Sequence, residues 1–333
     1  MKRFFKNVVV AMLIFTVLFS FFGCSAETKI NETALVINDV KINVDVFSYY
    51  LDEVMKGTDL EKSEAIKLAE EKCADYVKYN TEFKELGLSL SSSNKADVSL
   101  TVNDLWGVYS GYYKKIGVSK ETLTKVKESE AFRQAIIEKI YGEDGEKAIS
   151  KEEKETYFEE NYVFFKVISA YLCTVNDKGE TVPLDDDEIT AIKGQFADMK
   201  AKIKGDVTID AVNLEYVTSL GGSTEAELPI LSTSKKSETF PEPFFEEVKA
   251  LEKDAISVLA YDKYIFLVQK KDGAEYYSDN AAMILSEMAT KEFEKYMADK
   301  YSGVKIISTD MVEKECYDTI KGIKNAKTKA KEN

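Results

Sequence analysis

The sequence predicts an α+β protein in which a mostly helical body, split into two parts, surrounds a smaller strand-and-helix segment. Three observations carry this. Two runs rich in β-branched and aromatic residues, Phe164–Val175 and Tyr264–Gln269, read as strands. They bound a stretch of about 110 residues, near the usual size of a domain. Between them lie two helical patterns: Asp187 to about Lys204, with Ile189, Ile192, Phe196, Met199 and Ile203 on one face, and Pro243–Leu251, with Phe244, Val248 and Leu251 at i, i+4, i+7. Outside this stretch, apolar residues recur at helical spacing on both sides.

The chain is 333 residues long, enough for two domains. Residues 1–23 read as a targeting segment. Lys2, Arg3 and Lys6 form a positive start, and Val8–Phe22 is an apolar run too short to span a bilayer comfortably. It ends in Ser20-Phe21-Phe22-Gly23-Cys24-Ser25, which resembles a bacterial lipobox, with Phe21 in place of the preferred Leu. The resemblance implies that Cys24 is lipidated and anchors the chain to the outer face of the cell membrane, since two acyl chains hold far better than one. A plain secretory signal or an uncleaved anchor is the alternative. Cleavage takes three positive charges from a net charge of −14, leaving −17. Such acidity excludes a nucleic-acid partner, because phosphate binding needs clustered Lys and Arg.

Residues 24–32 form a polar tether. Ala34–Ile42 reads as a hairpin turning at Asn38-Asp39. Asn43 or Asp45 then caps a helix carrying Val44, Phe47, Leu51 and Val54. Glu61–Glu85 is a long helix with Ala65, Ile66, Ala69, Cys73, Tyr76 and Val77 inward, and Gly87 supplies its left-handed cap. Val98–Tyr113 is another helix, and Ser119 caps a third over Leu123–Tyr141. Ser150 and Glu153 make a capping box ahead of Tyr157, Glu160 and Asn161. After Asp272-Gly273, the helix Ala281–Tyr301 carries Leu285, Ala289, Phe293 and Met297 at i, i+4 spacing and requires a partner. Val304–Ser308 is a short strand, and residues 319–333, rich in Lys, are expected to be a disordered tail that either stays solvated or touches an anionic envelope.

Two families share these signals. The opening Val36-Ile37-Asn38, Ile42, Phe47 and Tyr50-Leu51 resembles that of PrsA/SurA-type foldases, as does the succession through Ser119, Ser150-Glu153 and Tyr157. Phe240–Ser257 followed by Tyr264–Val268 resembles the second half of a parvulin-type peptidyl-prolyl isomerase domain, and Gly221-Gly222 falls where that family carries its Gly-Gly turn. The resemblance implies a SurA-like helical chaperone domain made of residues 33–163 and 274–318, with a parvulin-like domain at 164–273 inserted into it. It places Phe240 and Phe244 in the pocket that grips a substrate proline. It also implies a His on each of the two central strands, where this chain has Tyr171 and Tyr264. There is no His in the chain, so the family's His pair is absent.

The implied function is a membrane-anchored, extracytoplasmic foldase or chaperone for unfolded exported proteins, with weak or no isomerase activity in the insert. An active peptidyl-prolyl isomerase and a non-catalytic scaffold lipoprotein are the alternatives. Isomerisation makes no covalent bond, so two phenols in place of two imidazoles leave the enzyme question open. As strand residues, Tyr171 and Tyr264 are equally half-buried structural aromatics. No cofactor or metal is expected: the sequence has no phosphate-binding Gly loop, zinc spacing or nucleophile elbow. Asp185–Glu188 reads as a solvated helix N-terminus, with a weak calcium site as the alternative. Cys73, Cys173 and Cys316 are odd in number and read as isolated apolar residues, with a Cys73–Cys316 bridge as the alternative.

Overall fold

A turn with special backbone geometry starts the structure. Thr33–Ile37 (β1) and Val40–Asn43 (β2) pair antiparallel around Asn38 and Asp39, which take φ of 44° and 66°. A two-residue hairpin of type I′ requires positive φ at both positions, and Asn and Asp tolerate it. The structure is a computed structural model that describes residues 31–223 and 227–331, with the side chains of the last helix described as far as Ala326. The targeting segment, Cys24 and the tether up to Ile30 lie outside the described residues. The chain divides into two units. Unit one takes the chain up to Asn80, Ser91–Glu130 and everything from Gly303 onward; unit two takes Thr81–Leu90 and Ala131–Ser302.

In unit one, Ile306–Ser308 (β9 in chain order) pairs with the free edge of β1, giving the sheet β2-β1-β9. Around it lie Val44–Met55 (α1), most of Lys62–Glu85 (α2), Ser92–Lys115 (α3) and the first half of Lys120–Tyr141 (α4). Leu35, Ile37, Phe47, Leu51, Ala69 and Leu123 are fully buried in its core. Ser119 caps α4 by accepting from the Thr122 amide at 3.0 Å. At α1 the N-cap residue is Asn43, but its side chain makes no capping bond; Asp45 instead accepts from the Val46 amide and the Thr122 hydroxyl at 2.9 and 2.5 Å. The expected disordered tail is a helix. A π-helical stretch, Val312–Tyr317, runs into Asp318–Lys331 (α10). The reason is an apolar stripe hidden among the lysines: Cys316, Ile320 and Ile323 at i, i+4, i+7 pack into the core, and Lys324 donates to the Met55 carbonyl at 2.7 Å. Cys73 and Cys316 share this core as free thiols. Burial pushes the Cys73 thiol well above its usual pKa and Cys316 up to about 11.

Unit two begins its sheet after Lys151–Asn161 (α5), which opens with the Ser150–Glu153 capping box. The strands are Tyr162–Tyr171 (β3), Leu231–Ser234 (β6), Ile256–Ala260 (β7) and Tyr264–Lys271 (β8), all antiparallel in the order β6-β3-β8-β7. Cys173–Val175 (β4) and Thr181–Pro183 (β5) form a separate hairpin. Asp186–Lys202 (α6) and Ile209–Ser219 (α7) pack on one face of the sheet, against Ile168, Leu172, Ile265 and Leu267. Phe244–Lys249 (α8) packs on the other, against Val163, Phe165, Phe266 and Val268. Gly221 ends α7 at φ +76°, and a Cβ on Gly222 would come within 2.9 Å of Val217. The Gly-Gly pair is therefore a steric requirement of this turn.

Tyr277–Lys300 (α9) supplies the returning stripe. Ile284, Leu285, Ala289, Phe293 and Met297 are all buried. Its partners are α5, the end of α2 and the second half of α4: Arg133 donates to Ser286 at 3.1 Å, Gln134 to the Ala282 carbonyl at 3.1 Å, and Tyr296 to Glu82 at 2.5 Å. The two units meet within α2, within α4 and just before Gly303. α2 and α4 each change unit part-way, and α9 lies wholly in unit two because the surfaces that cover its stripe lie there.

Candidate functional site

The four residues singled out in the insert lie on one face of the unit-two sheet. Side chains alternate across a strand, so odd-numbered residues of β3 and even-numbered residues of β8 share the face covered by α8. Tyr171 stands directly opposite Tyr264 in the β3–β8 ladder, and their rings lie 5.4 Å apart, tilted by 47°. Tyr264 stacks on Phe266 at 5.9 Å and 14°. Phe266 meets Phe240 and Phe244 edge-on at 5.8 and 5.2 Å. The result is one continuous aromatic strip from Tyr171 at its open end to Phe244 at its buried end.

Exposure along the strip decides what each ring can do. Tyr171 is 66% exposed, Tyr264 and Phe240 are half-buried, and Phe244 is 0% exposed. Phe240 stacks flat on Phe244, 4.3 Å centroid to centroid at 14°, and Phe165 closes its far side with edge contacts to both at 5.3 and 5.1 Å. Phe244 is thus a core residue beneath the surface ring of Phe240. A ligand on this face touches Phe240, Tyr264 and Tyr171, and reaches Phe244 only if Phe240 moves.

Sequence reasoning missed Phe165, Phe266 and Tyr261. The signal was present as period-2 alternation, Phe165-x-Val167-x-Ser169-x-Tyr171 and Tyr264-x-Phe266-x-Val268. Tyr261 packs on Phe266 at 5.9 Å, and its hydroxyl donates to Glu247 of α8. Burial first, and then this bond to a carboxylate, raise the Tyr261 pKa well above that of an ordinary phenol. The pair ties the β7–β8 turn to α8 beside the strip.

Among the described residues, the hydroxyls of Tyr171 and Tyr264 make no hydrogen bond within the protein, so both are free to donate to a bound carbonyl. The strip therefore offers apolar ring faces and two phenolic donors. This arrangement suits binding of proline or aromatic side chains with a polarised carbonyl nearby.

The opposite face holds an ion cluster around the buried Lys166, with Glu227 on its solvent side. The Lys166 ammonium, its side chain 7% exposed, donates to both oxygens of Asp210 at 3.0 and 2.8 Å and to Glu227 at 3.2 Å, while Asp210 also accepts from the Leu228 amide at 2.7 Å. Burial pulls the Lys166 pKa down, but the bonds to Asp210 and Glu227 outweigh it and hold it above the ordinary value. The cluster pins α7 to β3. Residues 211–215, sought as a source of a parvulin-type acid or thiol, are part of α7 on this far face.

The remaining expectations concern ions and membranes. Asp185 caps α6 and forms a capping box with Glu188, and no group of three or more Cys, Asp or Glu that could hold a metal exists among the described residues. No helix among them is long and apolar enough to cross a membrane.

The chain resembles PrsA foldases and SurA-like chaperones of known structure. The foldase protein PrsA from Streptococcus pneumoniae matches at 12% identity and a TM-score of 0.39, covering 75% of this chain and 90% of its own. PrsA from Lactococcus lactis matches at 13% identity and 0.38, covering 87% and 99%. A SurA-like chaperone from Campylobacter jejuni matches at 10% identity and 0.30, covering 84% and 100%. No protein-family model and no curated protein sequence matches the chain.

Proposed function

We propose that this protein is a membrane-anchored, extracytoplasmic foldase or chaperone that holds non-native exported polypeptides. Its sheet domain, residues 164–273, acts as a binding module with little or no prolyl isomerase activity. The helical residues 33–163 and 274–318 form the chaperone part around it. Cys24 carries the lipid anchor. The observation that carries the reading is the aromatic strip. It presents Phe240, Tyr264 and Tyr171 to solvent with two unpartnered phenols, and Phe244 is sealed beneath Phe240. Such a face binds proline and aromatic side chains loosely, which suits a client with no fixed structure.

Isomerase activity needs tighter binding of the twisted imide than of the planar one, across an uncatalysed barrier of roughly 18–20 kcal/mol. The free hydroxyls of Tyr171 and Tyr264 are the feature that favours this second reading.

Two assays on the full-length chain separate the possibilities. Aggregation of a refolding client is expected to be suppressed, and less so by Phe240→Ala; a client left unprotected means a scaffold. Exchange at the X-Pro bond of a short peptide is expected to stay near its uncatalysed rate. Acceleration that Tyr171→Phe with Tyr264→Phe abolishes makes the strip an enzyme site.

A further inference from the structure

We propose that the outer face of α3 pairs antiparallel with the same face of a second copy of this chain. α3 runs for 24 residues and packs on unit one through its other side. There Val102 and Tyr113 are buried in the core, and Val98, Leu105, Trp106 and Tyr112 lie against it. On the outer side, Asp97, Leu100, Asp104, Gly107, Gly111 and Lys115 follow one another in steps of three and four residues, so they form one stripe along the helix. Val108 flanks the stripe. All seven residues are exposed, Leu100 at 62% and Val108 at 72%.

The charges on this face select the occupant. Asp97 and Asp104 stand in the first part of the stripe, Lys114 and Lys115 at its end. The side chains of Asp97, Asp104 and Lys115 make no hydrogen bond or ion pair among the described residues, and the Lys114 ammonium lies over the Trp106 ring at 5.9 Å. Lys95, the remaining charge of α3, lines the cleft toward α4 with Glu128 and lies off this face. The face is therefore neutral in sum but divided, acids first and bases last. An antiparallel copy sets acids against bases; a parallel copy sets like against like. The lysines also suit the C-terminal dipole of α3, but Asp104 lies mid-helix, where the dipole gives no reason for it. The glycines permit the approach. Gly is the poorest helix former apart from Pro, and nothing inside the chain requires it here: neither Gly107 nor Gly111 has positive φ, and a Cβ on either would meet no atom within 4 Å. Pairing centred between Gly107 and Val108 sets Val108 into the notch at Gly107 of the other copy. Asp104 then lies opposite Gly111 of that copy, one helical turn of about 5.4 Å from its Lys115.

The pairing does not depend on the foldase reading. The test is sedimentation equilibrium of the chain from Ser25 onward, which keeps every described residue, under reducing conditions so that the partly exposed Cys173 links no copies. A concentration-dependent dimer is expected. D97K/D104K and K114D/K115D are each expected to weaken it about tenfold or more. An equimolar mixture of the two is expected to regain it, because the new lysines of one variant then face the new carboxylates of the other. Gly107→Gln/Gly111→Gln puts better helix formers at exposed positions. It is expected to melt no lower than the parent and yet to associate as weakly as the charge reversals, a combination that a purely structural role for the glycines does not produce. The proposal is overturned if the parent stays monomeric up to about 100 µM, if either charge reversal dimerises as the parent does, or if the mixture stays monomeric.

Discussion

Replacing Phe244 with Ala tests whether the buried end of the strip is core or pocket. Phe244 is 0% exposed and is enclosed by Phe240, Phe165 and Phe266 at 4.3, 5.1 and 5.2 Å between ring centroids. Removing a buried Phe ring costs about 3–5 kcal/mol through lost transfer and the cavity left behind. That is a large share of the 5–15 kcal/mol typical of a domain. Phe240 is half-buried, so its removal is expected to cost about 1–1.5 kcal/mol, roughly half the value of full burial. The stacked pair should couple by about 0.5–1.5 kcal/mol in a double-mutant cycle. Trp106, the single Trp, lies in unit one and reports on that unit. Unit two is better followed by hydrogen exchange of the β3 and β8 amides, which reads local opening directly. Phe244→Ala should lower their protection by at least a hundredfold and Phe240→Ala by about tenfold. Protection within threefold of the parent in Phe244→Ala would refute the core assignment and restore Phe244 as a pocket wall. If the assignment holds, Phe240→Ala is the sound probe of function, because Phe244→Ala also loosens the domain.

Two further predictions concern buried ionisable groups. Glu82 is fully buried and accepts from Tyr296 at 2.5 Å, Tyr301 at 2.8 Å and Lys300 at 2.5 Å. Burial pushes its pKa up, but these bonds outweigh burial and hold it below the usual carboxylate value. A folded-state pKa below the unfolded one gives stability that is present above the unfolded pKa and lost as pH falls through the folded one. Glu82→Gln should therefore cost about 2 kcal/mol at pH 7, with the gap to the parent closing below about pH 4 in paired urea melts. For the thiols, Cys173 is partly exposed, whereas Cys73 and Cys316 are fully buried with raised pKa values. A water-soluble maleimide should modify Cys173 in the native chain from Ser25 onward and reach Cys73 and Cys316 only after unfolding. Native labelling of Cys316 would show that the π-helical segment opens.

Much of this protein is local and was legible without coordinates. The Asn38-Asp39 hairpin, the Ser150–Glu153 box, the Ser119 cap and the β3 and β8 strands each follow from a few adjacent residues whose backbone preferences or period point one way. The α9 stripe was legible too, because Leu285, Ala289, Phe293 and Met297 are spaced for one face. What those faces meet was not. α7 escaped notice because its stripe is broken by Asn213 and Glu215, and burial against α6 and the sheet decides it. α10 looked like a solvated lysine tail because its apolar residues are sparse; a core made of residues 34–126 turns them into a docked helix. The site divides the same way. Phe240, Phe244, Tyr171 and Tyr264 could be named from sequence; cross-strand register sets the two Tyr on one face, and the packing of α8 brings Phe240 and Phe244 to it. Which ring is surface and which is core depended on how Phe240 stacks over Phe244, a relation set by tertiary packing. That β6 borders its sheet is likewise a property of the assembled strands, since whether a strand lies inside or at the border is decided by its neighbours.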